Sequence, residues 1–90
     1  MRRFGKVDRN HTEIVKAARK LGCQVLSLAP LGRGCPDLLL YAPRTRRLLL
    51  VEVKVPKGKV NALQADFAAL WPVSVVRTVD DLMLLLSHRL

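Results

Sequence analysis

A chain of 90 residues, half of them hydrophobic, is long enough for one small domain with a modest core and too short for two. Its 16 lysines and arginines against 7 aspartates and glutamates give a net charge of +9, which favours a polyanionic partner, most often nucleic acid. No apolar run approaches the roughly 18–20 residues that span a bilayer, and none follows the basic N-terminus as in a signal peptide, so we expect a cytoplasmic protein without a membrane partner.

The N-terminal third predicts a basic arm, a helix and a strand. We expect residues 1–9 to form a flexible basic arm. Asn10 and Glu13 then have the spacing of a capping box, apolar residues recur at helical intervals, and Gly22 supplies the stop. The short apolar segment Gln24–Ala29 is predicted as the first strand.

The middle of the chain holds two strands of almost continuous apolar character, Asp37–Tyr41 and Leu48–Val55. A short basic turn joins them, so they form a hairpin. Strands of this composition are typical of the centre of a sheet that is covered on both faces. Loops rich in glycine and proline precede and follow the pair, at residues 30–36 and 56–60.

The C-terminal third predicts a helix, a strand and a second helix. Asn61 and Gln64 again have capping spacing and open the first of these. Val73–Val76 is predicted as the fourth strand, and Thr78 caps a last helix that ends near His88. The expected fold is a single α/β domain spanning all 90 residues, with the order α-β-β-β-α-β-α.

Three charged residues, Asp37, Glu52 and Lys54, interrupt the two apolar strands of the hairpin. If the turn is centred between Arg44 and Thr45, Asp37 lies directly opposite Glu52 on one face of the sheet. Lys54 shares that face because it lies two residues beyond Glu52. Opposed carboxylates repel unless a cation lies between them, and their oxygens suit Mg²⁺ or Mn²⁺. A lysine beside them could orient an attacking water, so the pattern predicts metal-dependent hydrolysis of a phosphodiester.

Each of these residues has a structural alternative when it is taken alone. Asp37 could cap the loop that ends at Pro36, and Glu52 with Lys54 could form a solvated ion pair on an exposed sheet face. The leucines and valines that surround them argue against exposure. The joint pattern therefore favours the catalytic interpretation.

The pair Pro36-Asp37, followed by Glu52-Val53-Lys54, resembles the signature of the PD-(D/E)XK nuclease superfamily. The order of elements is similar to that superfamily's restriction-endonuclease-like core, a mixed four-stranded sheet flanked by helices. More narrowly, the chain resembles the VRR-NUC branch, in the compact stand-alone form known from phages and bacteria. The motifs that carry this narrower resemblance are Gly34-x-Pro36-Asp37, Val51-Glu52-Val53-Lys54 and Asn61-x-x-Gln64.

The resemblance implies a role for each of these residues. Asp37 and Glu52 would bind the divalent metal, Mg²⁺ or Mn²⁺, and the backbone carbonyl of Val53 would complete the ligand set. Lys54 would position or activate the nucleophilic water, and Gln64 would line the catalytic site from the second helix. The activity implied is that of a metal-dependent endonuclease on DNA, with branched DNA or a four-way (Holliday) junction as candidate substrates.

Two residues keep alternative interpretations. Glu13 matches the first-helix acid that this branch often contributes to the metal site, and it is equally a capping-box partner for Asn10. Gln64 has the same ambiguity with Asn61. At the level of function, the alternatives are a non-catalytic basic module that binds nucleic acid with the same fold, or a structural partner of an acidic protein.

The last predicted helix is apolar on every side over Leu82–Leu86. A surface helix ordinarily buries one stripe, and a domain this small has little else to cover the rest. We therefore expect a homodimer formed through this helix, the commonest arrangement of soluble oligomers. The alternative is that the N-terminal segment covers it.

Overall fold

A computed structural model describes residues 6–87 of the chain. Within that range, three α-helices and four β-strands follow one another in the predicted order. They are helix α1 (Lys6–Lys20), strands β1 (Gln24–Ser27), β2 (Leu38–Ala42) and β3 (Arg47–Val53), helix α2 (Ala62–Leu70), strand β4 (Val73–Val76) and helix α3 (Val79–Ser87), with a short 3-10 helix at Ala29–Leu31. No helix in the described range is both long enough and apolar enough to cross a membrane.

Helix α1 begins earlier than the sequence predicts. It starts at Lys6, so residues 6–9 are helical and the prediction of a flexible arm is wrong for them. The remaining part of that arm, residues 1–5, lies outside the described residues. Asn10 does not cap the helix, because its side chain is engaged by two distant backbone carbonyls, those of Lys54 and Arg77. Tertiary contacts of this kind override local capping preference.

The four strands form one mixed sheet in the order β1-β2-β3-β4. Strands β1, β2 and β3 are antiparallel neighbours, and β4 lies parallel to β3. In the hairpin, Leu38 pairs with Val51 and Ala42 with Arg47. That register is the one predicted from the turn, so the mixed α/β architecture and the hairpin alignment are both confirmed.

The core lies between one face of the sheet and helices α1 and α3. Its fully buried members include Ile14, Leu38, Leu40, Val51 and Leu82. Alternate residues of β2 and β3 point into this layer, as the period of two along a strand requires.

The opposite face of the sheet, which we call the outer face, is covered only in part. Leu39 and Leu50 are half-buried there, while Leu26 and Leu48 are exposed. The prediction that the central strands are covered on both faces is therefore wrong for much of this surface. The physical reason is the length of α2, which has nine residues and contacts the outer face at the Glu52 end of β3.

Candidate active site

Asp37 lies where the loop that follows the 3-10 helix enters β2. The residue before it, Pro36, is fully buried and restricts the path of the chain into the sheet. Continuing the β2–β3 register by one pair places Asp37 opposite Glu52. Oδ2 of Asp37 accepts a hydrogen bond of 2.8 Å from the backbone amide of Val53. The carboxylate is therefore anchored to β3 as well as to its own strand.

Glu52 lies one residue before the end of β3 and is only 4% exposed, which makes it the one buried charged residue of the described chain. Its Oε2 accepts a hydrogen bond of 2.8 Å from Nε2 of Gln64 on α2. The same oxygen lies 3.6 Å from Nζ of Lys54. Val75 is its neighbour on β4, so an apolar side chain flanks the carboxylate on that side.

Burial raises the pKa of Glu52 from its ordinary 4.5 to about 7, and the neighbouring carboxyl group of Asp37 adds to the increase. The Lys54 ammonium lowers this pKa and does not cancel the effect of burial. An acid whose pKa lies near neutrality, next to a second acid, is typical of functional sites. The pair of acids therefore favours the uptake of positive charge, as a proton or as a cation.

Gln64 serves the helix and the site through opposite ends of one amide. Its side-chain Oε1 accepts a hydrogen bond of 3.0 Å from the backbone N–H of Asn61. The backbone N–H of Gln64 donates in return to Oδ1 of Asn61 at 2.9 Å. The predicted capping box of α2 is thus present. Because the amide oxygen is held by the cap, the amino group faces Glu52. Gln64 therefore contacts both Asn61 and Glu52, and its role in a catalytic site stays a prediction.

Lys54 is the first residue after β3, and its side chain is 18% exposed. Its backbone N–H donates to Val76 O at 3.0 Å, which extends the pairing with β4 by one step. Its own carbonyl accepts a hydrogen bond of 2.8 Å from Nδ2 of Asn10. The backbone of Lys54 is therefore held by hydrogen bonds on both sides, and its ammonium group lies beside Glu52 with partial exposure to solvent.

Of the two further predicted metal ligands, Val53 contacts the acid pair and Glu13 does not. Glu13 is exposed on α1, and no three Asp, Glu, His or Cys side chains between residues 6 and 87 cluster as a metal site, so the structure does not bring it to the acid pair. Its alternative role as capping partner of Asn10 is wrong, because both residues lie inside α1. Val53 contacts Asp37 through its amide. Ligand roles for the Glu13 side chain and the Val53 carbonyl stay predictions.

The acid pair has the donor atoms that a hard divalent cation prefers. One oxygen of each carboxylate, Oδ2 of Asp37 and Oε2 of Glu52, accepts a protein hydrogen bond. Each carboxylate has a second oxygen, and a side-chain hydrogen bond between the two carboxyl groups contributes to the raised pKa of Glu52. Carboxylate oxygens completed by water molecules are typical ligands of Mg²⁺ and Mn²⁺. The residues present therefore fit such an ion.

Two further residues support the site: Asn10, which could not be recognised from motif spacing, and Gly34, whose reason for being glycine the motif alone does not give. Asn10 supports Lys54, and the only signal in the sequence is that asparagine is a poor helix former in the second turn of α1. Gly34 has a positive φ of 80°, and a Cβ built on it would collide with the carbonyl group of Leu63. The loop before Asp37 therefore lies directly against the first turn of the helix that carries Gln64.

The loop that follows β3 carries two further basic residues, Lys57 and Lys59, and both are exposed. A cavity of about 750 Å³ lies elsewhere, beside the turn between β2 and β3, and is lined by residues such as Arg44, Thr45 and Met83. None of the predicted site side chains lines it. The candidate site is thus separate from this cavity.

Comparisons with known proteins agree with this geometry. The family profile described as the VRR-NUC domain matches residues 6–70, which include Asp37, Glu52, Lys54 and Gln64. A solved structure described as a VRR-NUC domain is 29% identical in sequence and superimposes with a TM-score of 0.76. The alignment covers 92% of this chain and 96% of that one. Among curated proteins, the sequence finds no match.

Proposed function

The chain belongs to the VRR-NUC domain family, a branch of the PD-(D/E)XK nuclease superfamily, and we propose that it is a divalent-metal-dependent endonuclease that hydrolyses DNA phosphodiester bonds. The observation that carries this proposal is the pairing of Asp37 with a buried Glu52 whose pKa is raised to about 7. Two adjacent acids in a poorly hydrated position destabilise a fold. A module that only binds nucleic acid has no use for them.

In the proposed hydrolysis, the acid pair binds the metal ion and Lys54 acts on the attacking water and the phosphate. Asp37 and Glu52 would hold the ion through their carboxylate oxygens. When bound, Mg²⁺ or Mn²⁺ supplies positive charge to the phosphate and acidity to a water molecule. Gln64 keeps Glu52 in place through its hydrogen bond. Lys54, beside Glu52, is positioned to hold the attacking water and to stabilise the negative charge that develops on the phosphate.

DNA is the substrate that the charge of the chain supports, since the net charge is +9 and Lys57 and Lys59 lie on the loop next to Lys54. Branched DNA, including four-way junctions, is the substrate form that the resemblance favours. Two copies are expected to act together as a homodimer, because cutting both strands of a duplex or junction needs two sites in a fixed relation. The expected location is the cytoplasm.

The test is a cleavage assay on linear, flapped and four-way DNA with Mg²⁺ or Mn²⁺. The wild-type chain is expected to cut at least one of these substrates, and EDTA should stop it. Asp37→Asn keeps an acceptor for the Val53 amide and removes the charge, so it should abolish cleavage while the variant stays folded and binds DNA. Lys54→Ala should have the same effect.

Asp66→Asn is the matched control, because Asp66 is exposed on α2 and the change from acid to amide is the same. It should cut at the wild-type rate. Wild-type protein that binds DNA and cuts none of the substrates with either ion would overturn the proposal in favour of the non-catalytic binding module.

A further inference from the structure

Asn10 lies in the second turn of α1 and points its side-chain amide at the ends of two parallel strands. Its Nδ2 donates to the carbonyl of Lys54 at 2.8 Å and to the carbonyl of Arg77 at 3.2 Å. Lys54 is the first residue after β3, and Arg77 is the first residue after β4. The two hydrogens of one amide nitrogen thus bind the carbonyl groups that directly follow β3 and β4, where the pairing of these strands ends.

We infer that Asn10 is a positioning residue that fixes the Lys54 ammonium beside Glu52, an inference that rests on the proposed function. The peptide groups on both sides of the Lys54 Cα are held, the N–H by Val76 and the carbonyl by Asn10. With both held, the direction of the Lys54 side chain from the backbone is set. The ion pair with Glu52, 3.6 Å long, then needs only the side-chain torsions to be ordered.

The same contact also restrains the basic loop that begins at Lys54. Arg77, whose carbonyl Asn10 holds, donates from Nη2 to the carbonyl of Gly58 at 3.0 Å. The backbone N–H of Arg77 donates to Asp81 at the start of α3. Asn10 therefore connects α1 directly to Lys54 at the start of this loop and, through Arg77, to Gly58 further along it. These contacts couple the position of Lys54 to that of the sheet.

A role in attaching α1 to the domain does not account for Asn10. The helix is already fixed by Ile14 and Ala18, which are fully buried against the core. Asparagine is less favourable than alanine inside a helix, so its presence needs a compensating contact. That contact is made with the strand ends at Lys54 and Arg77, and not with the apolar core.

The experiment compares Asn10→Ala with Ile14→Val in the full chain. Ile14→Val weakens the attachment of α1 without touching Lys54, which makes it the matched control. At saturating DNA and metal, and at a temperature where each variant is folded, kcat of Asn10→Ala should fall at least about tenfold, since small misplacements of catalytic groups have large effects. Its Kd for DNA should stay within about twofold, because Asn10 carries no charge. The control should keep both values.

Asn10→Ser retains one donor and should give an intermediate kcat; it also carries the test if Asn10→Ala does not fold. A readout independent of activity is the carbonyl ¹³C resonance of Lys54, which should shift in both Asn10 variants and not in Ile14→Val. A kcat equal to that of the control, a loss of kcat matched by a loss of DNA affinity, or an unshifted Lys54 carbonyl would overturn the inference. If the wild-type chain does not cut DNA, the proposed function fails, and the Lys54 resonance still decides whether Asn10 positions the lysine.

Discussion

Glu52 is the residue at which the chemistry of the site opposes the stability of the fold. A carboxylate that is 4% exposed has lost most of its hydration, and Asp37 adds a like charge beside it. Gln64 and Lys54 return part of that loss through a hydrogen bond and an ion pair. The part of the hydration energy that is not recovered raises the pKa, because the neutral, protonated carboxyl group loses less hydration on burial than the carboxylate does.

The stability of the metal-free protein should therefore fall as the pH rises through this range. Below pH 4.5 Glu52 is protonated in both the folded and the unfolded chain; between 4.5 and about 7 only the unfolded chain releases the proton. The free energy of unfolding should drop by up to roughly 3 kcal/mol across that window and then stay level. Urea unfolding of the wild type and of Glu52→Gln between pH 4.5 and 8 measures it.

Only the difference between the two proteins reports on Glu52, since other carboxyl groups titrate in both. Glu52→Gln should remove the decline, and millimolar Mg²⁺ should reduce it in the wild type and not in the variant. Parallel pH profiles for the two proteins would show that Glu52 has an ordinary pKa.

At the scale of elements, the site depends on how the loop before β2 packs on α2. Gly34 takes a positive φ of 80° and leaves no room for a side chain beside the Leu63 carbonyl. The first turn of α2, which carries Gln64, is thereby held over the Glu52 end of β3. The glycine in the Gly34-x-Pro36-Asp37 motif is thus explained by backbone contact.

Gly34→Ala should move α2 away from the loop and break the hydrogen bond between Gln64 and Glu52. A Cβ at positive φ alone costs about 1–2 kcal/mol, and the collision with Leu63 adds to it. Gly22→Ala is the matched control, because Gly22 has a φ of 92° with no atom within 4 Å of an added Cβ. Cleavage should fall in Gly34→Ala and not in Gly22→Ala, measured where both are folded. Equal activity would mean that α2 is seated by other contacts.

At the scale of the whole molecule, α2 and α3 both expose apolar side chains, and α2 is the less buried of the two helices. Helix α3 buries Leu82 completely, whereas α2 buries none of its residues. On and just after α2, Leu63, Leu70 and Trp71 are 60%, 84% and 53% exposed. The sequence predicts a homodimer through α3. Because a short helix takes most of its stability from packing, we propose instead that a second copy binds at this surface of α2 and the adjoining outer face.

Leu70→Glu should dissociate the expected homodimer, because it places a charge on that apolar surface, where Leu70 is 84% exposed. Leu84→Glu is the matched control on α3, where the leucine is 71% exposed. Sedimentation equilibrium at micromolar concentration should give a dimer mass for the wild type and the control, and a monomer mass for Leu70→Glu. Dissociation by Leu84→Glu alone would move the interface to α3, and a monomeric wild type with and without DNA would exclude the dimer.

DNA affinity should depend steeply on salt, because the chain carries a net charge of +9 and only 4% aromatic residues for base stacking. With about four phosphate contacts, the affinity should drop roughly a hundredfold between about 50 and 200 mM salt. Fluorescence anisotropy with a labelled junction measures it. A flat dependence would point to a partner other than nucleic acid.

The sequence by itself determined the order of the elements, the hairpin register and the opposition of Asp37 to Glu52. Each follows from local rules, since alternation along a strand and the length of one short turn decide which side chains share a face. The capping box at Asn61 and the helix cap at Thr78 are local for the same reason and are present in the structure.

Only the tertiary structure decided the start of α1, the partners of Asn10, the second contact of Gln64 and the incomplete cover of the outer face. Asn10 meets Lys54 across 44 positions of the chain, and Gln64 meets Glu52 across 12. Spacing within a segment carries no information about contacts at such separations. Asn10 therefore resembled a helix cap in the sequence, although its amide is held by the ends of two strands.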